Sequence, residues 1–382
     1  MTPLSISILE GAPAIESIAA EWDEALPQSF TAALSQSSWY LAWQQAFPPK
    51  RAVAVVARQD NRLVGLLPMA LVKTDARGLY FRQATTYAGG DYQTPVIASG
   101  TGPEVLPALL DASLEYFGRR IVYRFASIPE TDLAARILPA HLSSRGLVVA
   151  EHVQTAPRLS IGGRTYSQIE STWSPSHRTD VRRQRKRLTA LGQLSLWRPQ
   201  KLEDAQAFLE ELFIVHDEKW LSQGQPGRFQ DPAERRHFAA IVNRMWGRGL
   251  HLSALRCGET NISYGLGFFS DNWLQWYRPT YKTAYHNVSP GKVHISMLIE
   301  EACQNQWKGF DFLGGAEAYK LQWSNEVLRI MDYYASFSAA LPAFQWFTRG
   351  KPYVRDQIGP MYAKLRAILQ KKSLFNPLLP RK

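Results

Sequence analysis

Three groups of residues in this 382-residue chain have the types and spacing to do chemistry. Glu317, Tyr319 and Lys320 stand together in FLGGAEAYKLQW, and His216 lies in a helical segment four residues before Trp220. Glu317 and His216 are the general-base candidates, because imidazole titrates near neutrality and burial can tune a carboxyl upward. The plainer alternatives are that His216 packs on Trp220 one turn away, and that Glu317 merely pairs with Lys320. In the second group Ser289 reads as an N-cap and Pro290 as a first helical position. Gly291, with Lys292 beside it, would leave backbone N–H groups open at a helix mouth whose dipole favours phosphate. In the third group Arg178, Arg182 and Arg183 fall on successive turns of a helix capped by Ser174-Pro175. Their forked donors could grip a diphosphate.

These residues need elements to hold them, and the chain supplies the same series twice. In the first half, helices near 15–26 and 38–47 precede a hairpin, RAVAVVARQ and RLVGLLPMAL, turned at Asp60-Asn61. Strand-like LYFRQATTY follows, then a helix ended by Gly118 and the apolar strand IVYRFASI. In the second half, helices over about 203–221 and 232–246 precede the hairpin HLSALRC and NISYGLGFFS. WLQWYRP comes next, then a helix from Ser289 that Gly309 closes, the strand FDFL and a polar Glu-x-Tyr-Lys hairpin. This order implies an α+β fold of two tandem units, each a mixed, mostly antiparallel sheet flanked by helices. The units span 1–160 and 161–340, the second beginning with the basic linker helix, and a basic tail occupies 341–382.

Composition sets limits. With 45% hydrophobic residues and 12 Trp, the chain has material for packed cores and is not disordered. No stretch approaches the roughly 20 apolar residues of a membrane helix. The first residues carry Glu10, Glu16 and Glu21 with no basic n-region, which argues against a signal peptide. Cys257 and Cys303 have neither metal spacing nor a disulfide framework, so no metal and a cytoplasmic setting are expected. A net charge of +11 implies an anionic partner. DNA is not expected, because the Arg178–Arg187 strip lacks interleaved aromatics and no nucleic-acid module is recognisable.

Local patterns line up in order: Trp39-x-x-x-Trp43, VGLLPM, Gly89-Gly90-Asp91-Tyr92, the arginine helix, His216-x-x-x-Trp220, Ser289-Pro290-Gly291 and FDFLGGAEAYKLQW. From Trp22 to Trp323 the chain resembles the CelD/BcsL-type acetyltransferases of cellulose and exopolysaccharide biosynthesis, which look related to Fem-type aminoacyltransferases. The resemblance implies two acyl-CoA N-acyltransferase-like (GNAT-like) units. Acetyl-CoA or another acyl-CoA would be the donor, its pyrophosphate at Ser289–Lys292. Lys320 would stabilise developing negative charge, with Tyr319 beside it. Asp91 and Tyr92 would contact the acceptor, although Gly-Gly-Asp equally suits an ordinary tight turn. A nucleotide- or lipid-linked sugar is the expected acceptor, its diphosphate held by Arg178, Arg182 and Arg183.

One departure bears on the donor. The glycine-rich Q/R-x-x-G-x-G/A loop of acyl-CoA enzymes is missing, and only Gly291 serves that spot. Two rivals stay open: an aminoacyl-tRNA-dependent transferase on a peptidoglycan precursor, and a non-catalytic nucleotide-binding regulator. In the tail, Met361, Leu365, Ile368 and Leu369 make an apolar stripe beside Lys364, Arg366, Lys371 and Lys372. This stripe could lie on the anionic inner membrane surface or pack on the second unit. Arg349, Lys351 and Arg355 could instead take a cyclic dinucleotide.

Overall fold

A computed structural model describes residues 3–76, 79–315 and 317–350. Its first seven strands are β1 (Ser5–Glu10), β2 (Arg51–Gln59), β3 (Arg62–Ala76), β4 (Leu79–Thr85), β5 (Val96–Ile97), β6 (Val122–Pro129) and β7 (Val148–Ser160). Six more follow: β8 (Leu194–Trp197), β9 (Leu250–Cys257), β10 (Thr260–Ser270), β11 (Trp273–Tyr281), β12 (Gly309–Asp311) and β13 (Glu326–Ser336). The β2–β3 hairpin turns on Asp60 and Asn61, whose φ values of 52° and 62° are those of a tight two-residue turn. All strands join one sheet, in the order β1-β2-β3-β4-β6-β13-β7-β12-β11-β10-β9-β8, with β5 on the side of β3.

The two halves are mixed and mostly antiparallel, and each contains one parallel pair, β4 with β6 and β11 with β12. They also exchange strands. β13 enters from the end of the second half, between β6 and β7, and pairs with β7 from Glu326↔Arg158 to Ser336↔Val148. The last residues of β7 pair in turn with β12 of the second half. The sheet is therefore continuous across residue 160, and the early strands of the first half are completed by residues 326–336.

One face of the sheet carries a helical layer drawn from both halves. Residues of Ser37–Ala46, Leu202–Ser222 and Pro232–Met245 bury Trp39, Tyr40, Phe213 and Phe238 in one core with Tyr264, Phe268 and Tyr277 of the sheet. On the opposite face the helices Val105–Phe117 and Leu133–Ser144 cover the first half. There the helix Pro290–Gln304 covers the second half with Ile295, Leu298 and Ile299.

Several local expectations are corrected. Ser289 sits in the left-handed region with φ 45° and ψ 58°, so its side chain caps nothing. Pro290 does occupy the first turn. The helix ends at Gln304, and Gly309 begins β12 rather than closing the helix. The Glu-x-Tyr-Lys segment is a single helical turn, Ala318–Leu321, not a hairpin. Of the tail, Ala343, Phe344 and Phe347 pack on Val122 and Tyr334. The stripe from Met361, with Lys351 and Arg355, lies outside the described residues.

Candidate active site

The parallel pair β11–β12 holds only over Trp273–Gln275 against Gly309–Asp311. Past that point β11 keeps its other neighbour, β10, while the chain after Asp311 turns away through Phe312–Gly315. Two parallel strands that pair and then part leave a wedge between them. A cavity of about 500 Å³ fills it, within the usual range for small-molecule sites. Trp276, Ile295, Phe312 and Trp323 form an apolar wall, and Gly291 at the start of the helix Pro290–Gln304 lies at one end.

A bulge sets what β11 presents. The register steps from Gly267↔Trp276 to Leu266↔Arg278, so Tyr277 has no opposite residue on β10. Bulges re-aim side chains, and this one is followed by Arg278 lining the cavity. The Tyr277 ring packs on Trp39 and Phe238 in the shared helical layer, and its hydroxyl donates to the Gly89 carbonyl at 3.0 Å.

That bond ties the second half to the loop that carries Asp91. Gly89 has φ +81°, and a Cβ on Gly90 would lie 2.6 Å from the Trp39 ring, so both positions require glycine. Trp39 Nε1 donates to the Ala88 carbonyl at 2.8 Å. Asp91 thereby reaches the cavity from the first half, facing Arg278 and Lys320 and accepting a hydrogen bond from the Gly314 N–H. Removal from water pushes the Asp91 carboxyl above the ordinary aspartate value, against the opposing pull of Arg278 and Lys320.

Lys320 is 6% exposed. Its ammonium donates to the Gly314 carbonyl at 2.7 Å and pairs with Glu317 Oε2 at 2.9 Å. A lysine ammonium has three donors, so one hydrogen remains for the cavity. Glu317 thus orients Lys320 from a side chain that is 57% exposed, which fits the pairing alternative better than a buried base. Tyr319 lines the same cavity, its phenol pushed up to about 12 first by burial and then by Glu317.

Other expectations place differently. His216 borders the cavity, but its Nε2 accepts from Trp220 Nε1 at 3.0 Å and its Nδ1 faces Asp217 at 3.3 Å. Both nitrogens are occupied, so His216 is a packed histidine rather than a free base, and burial lowers its pKa. Tyr92 is fully buried and donates to Asp311 Oδ2 at 2.8 Å. It pins the Asp91 loop to β12 and does not reach an acceptor. Asp311 also lies beside Arg158 and is pushed up to about 6, chiefly by burial.

The arginine helix, Pro175–Thr189, does not line the cavity with Arg178, Arg182 or Arg183. Arg182 is forked onto Glu170 at 2.6 and 2.9 Å, Arg183 pairs with Asp180, and Arg178 reaches the Ser171 carbonyl. Lys292 does line the cavity beside Gly291, but its ammonium is paired with Asp180. Arginines at helical spacing read as free until the acids that turn toward them are placed. Sequence reasoning also missed Arg278 and Lys219, both in the cavity wall. The bulge that re-aims Arg278 leaves no local mark in WLQWYRP.

The half of the chain that holds most of this cavity is also the half similar to a known family. Residues 175–321 match the model of an acetyltransferase (GNAT) domain. No curated protein matches the chain. Among solved structures, FemX is similar at 12% identity and a TM-score of 0.60, covering 88% of this chain and 98% of its own. The C-terminal domain of a putative lysylphosphatidylglycerol synthetase from Agrobacterium fabrum matches at 10% identity and TM-score 0.54, covering 90% and 97%. A conserved protein of unknown function from Bacteroides thetaiotaomicron matches at 12% and 0.52, covering 88% and 99%. At these identities the likeness is one of fold. The chain has a GNAT-type α+β fold, with a large, mostly antiparallel sheet flanked by helices.

Proposed function

We propose that this chain is an acyltransferase that moves an acetyl or similar acyl group from a CoA thioester to a sugar-linked amine or hydroxyl. One observation carries the reading: a single cavity gathers a helix N-terminus, a buried lysine and a carboxylate raised by burial. The place of this reaction in exopolysaccharide assembly rests on the motif resemblance. A cytoplasmic setting rests instead on the two unpaired cysteines, and peripheral contact of the tail with the inner membrane on its basic, apolar-striped pattern. No helix among the described residues is long and apolar enough to cross a membrane.

The donor would enter along β11. Its phosphates meet the first turn of Pro290–Gln304, where the dipole is positive and Gly291 keeps the approach open. A Cβ at Gly291 would find only Tyr281 Cδ1, at 3.7 Å, so the mouth is roomy. The acyl chain would lie against Trp276, Phe312 and Trp323. The acceptor nitrogen or oxygen attacks the thioester carbonyl and passes its proton to Asp91. The free Lys320 hydrogen stabilises the oxyanion, and the C–S bond then breaks to release the thiolate, which takes up a proton.

Gly291→Glu tests the donor site. A glutamate in the first turn suits the helix dipole and has space, so the fold should hold. Its charge opposes phosphate, and CoA affinity should drop about tenfold or more, roughly 1.4 kcal/mol. Unchanged affinity in the folded variant would move the donor elsewhere.

A second reading draws on the fold shared with FemX and the synthetase domain: an aminoacyl-tRNA donor. The solvent-facing side of Pro175–Thr189 favours it: the Arg182 and Arg183 side chains are 69% and 64% exposed although each is paired with an acid, and Lys186 and Arg187 are exposed beside them. Under that reading binding would be steeply salt-dependent, because a polyanion releases many counterions.

A further inference from the structure

We propose that the acceptor carries an oxyanion close to its reacting amine or hydroxyl, and that Arg278 selects it. The inference rests on the acyl-transfer reading of the β11–β12 cavity and names the acceptor class for it.

Arg278 lines the cavity immediately after the β11 bulge. Its guanidinium is braced on aromatic rings, 4.1 Å from the Tyr277 centroid and 5.9 Å from that of Phe238. The remaining bonds are long and weak: 3.4 Å to the Tyr277 carbonyl and 3.2 Å to the Tyr277 hydroxyl. Nε is buried and has no partner. Among the described residues no carboxylate forms an ion pair with it, although Asp91 attracts it from within the same cavity. Two arginines outside the cavity differ in having an acid: Arg158 lies 3.5 Å from Asp311, and Arg182 is forked onto Glu170.

A held, half-desolvated guanidinium without a counter-ion is costly unless a ligand supplies one. Its planar fork matches carboxylate or phosphate oxygens. The donor's phosphates are not that ligand. Arg278 precedes Tyr281, the residue beside Gly291, by three positions, about 10 Å along the strand. It lies instead at the Asp91 end, where the acceptor is deprotonated. Lys320 is already bonded to Gly314 and Glu317. Asp91 and Arg278 therefore present a negative and a positive group side by side without closing on each other. That pattern complements an amine or hydroxyl with a neighbouring acid. A sugar acid and a sugar phosphate share this chemistry.

Calorimetry on the full chain distinguishes them without requiring turnover. The probes are glucosamine, 2-amino-2-deoxyglucuronic acid and glucosamine 6-phosphate, each titrated with CoA present. One anionic probe should bind about tenfold more tightly than glucosamine, and which one does so identifies carboxylate or phosphate. Arg278→Gln should abolish that preference and leave glucosamine within about threefold of wild type. Arg278→Lys, which keeps the charge and loses the fork, should retain part of it, and thermal melts of both variants report folding. Equal binding of all three probes, no binding of either anionic probe at millimolar concentration, or an equal loss for all three in Arg278→Gln would overturn the proposal. An anion preference without any acyl transfer would instead count against the acyltransferase reading alone.

Discussion

Lys320→Ala lowers turnover by roughly 10²–10³, about 2.7–4 kcal/mol, while donor affinity stays near wild type. The split follows from where the ammonium sits. It is 6% exposed, fixed by the Gly314 carbonyl and Glu317, with one hydrogen directed to neither. A donor held this way costs no reorganisation when charge develops on the acyl oxygen, and it contributes little to the ground state. Lys320→Met, which keeps the buried stem, should lose as much, because volume is not what is missing. Steady-state kinetics with a CoA titration read both parameters. Full turnover in a folded alanine variant would make Lys320 a structural residue and its contacts mere packing.

Asp91→Asn should cost 10²–10⁴ in turnover, the span typical of a positioned general base. The wild-type profile carries the sign. Burial raises the Asp91 pKa, and only the carboxylate accepts a proton. Activity is therefore lost as pH falls through that raised value and regained above it, with the lower limb displaced upward from the ordinary aspartate range. In Asp91→Asn this limb should vanish, leaving a low rate flat in pH across the same interval. A variant that keeps the wild-type rate and limb would assign the base to another group.

How much of this was legible depends on how local each feature is. The two strand hairpins, the Ser174 cap and the Gly89-Gly90 turn were readable because strand alternation, Asp60-Asn61, a capping serine and glycine act over a few residues. The grouping of Lys320, Glu317, Tyr319, Gly291 and Asp91 in one cavity also follows the order of motifs. What escaped depends on distant partners. β7 and β13 pair across more than 160 residues, as in Arg158↔Glu326, and no window of sequence shows that exchange. Tyr92, Arg182 and Lys292 were read as available because their partners Asp311, Glu170 and Asp180 are set by packing, whereas the Trp220 partner of His216, one turn away, was legible as an alternative. Ser289 looked like a cap, yet it follows the turn Thr283–Val288 with a left-handed backbone and caps nothing. Arg278 went unseen because a bulge, invisible in composition, decides where it points.

The central claim is that a CoA thioester is the donor in the β11–β12 cavity, and a calorimetric titration of the wild-type chain with acetyl-CoA tests it most directly. The account predicts one site per chain, a dissociation constant of about 1 μM to 1 mM in the usual range for such substrates, and competition by desulfo-CoA. No heat from acetyl-CoA, together with tight and steeply salt-dependent binding of an aminoacyl-tRNA, would contradict it.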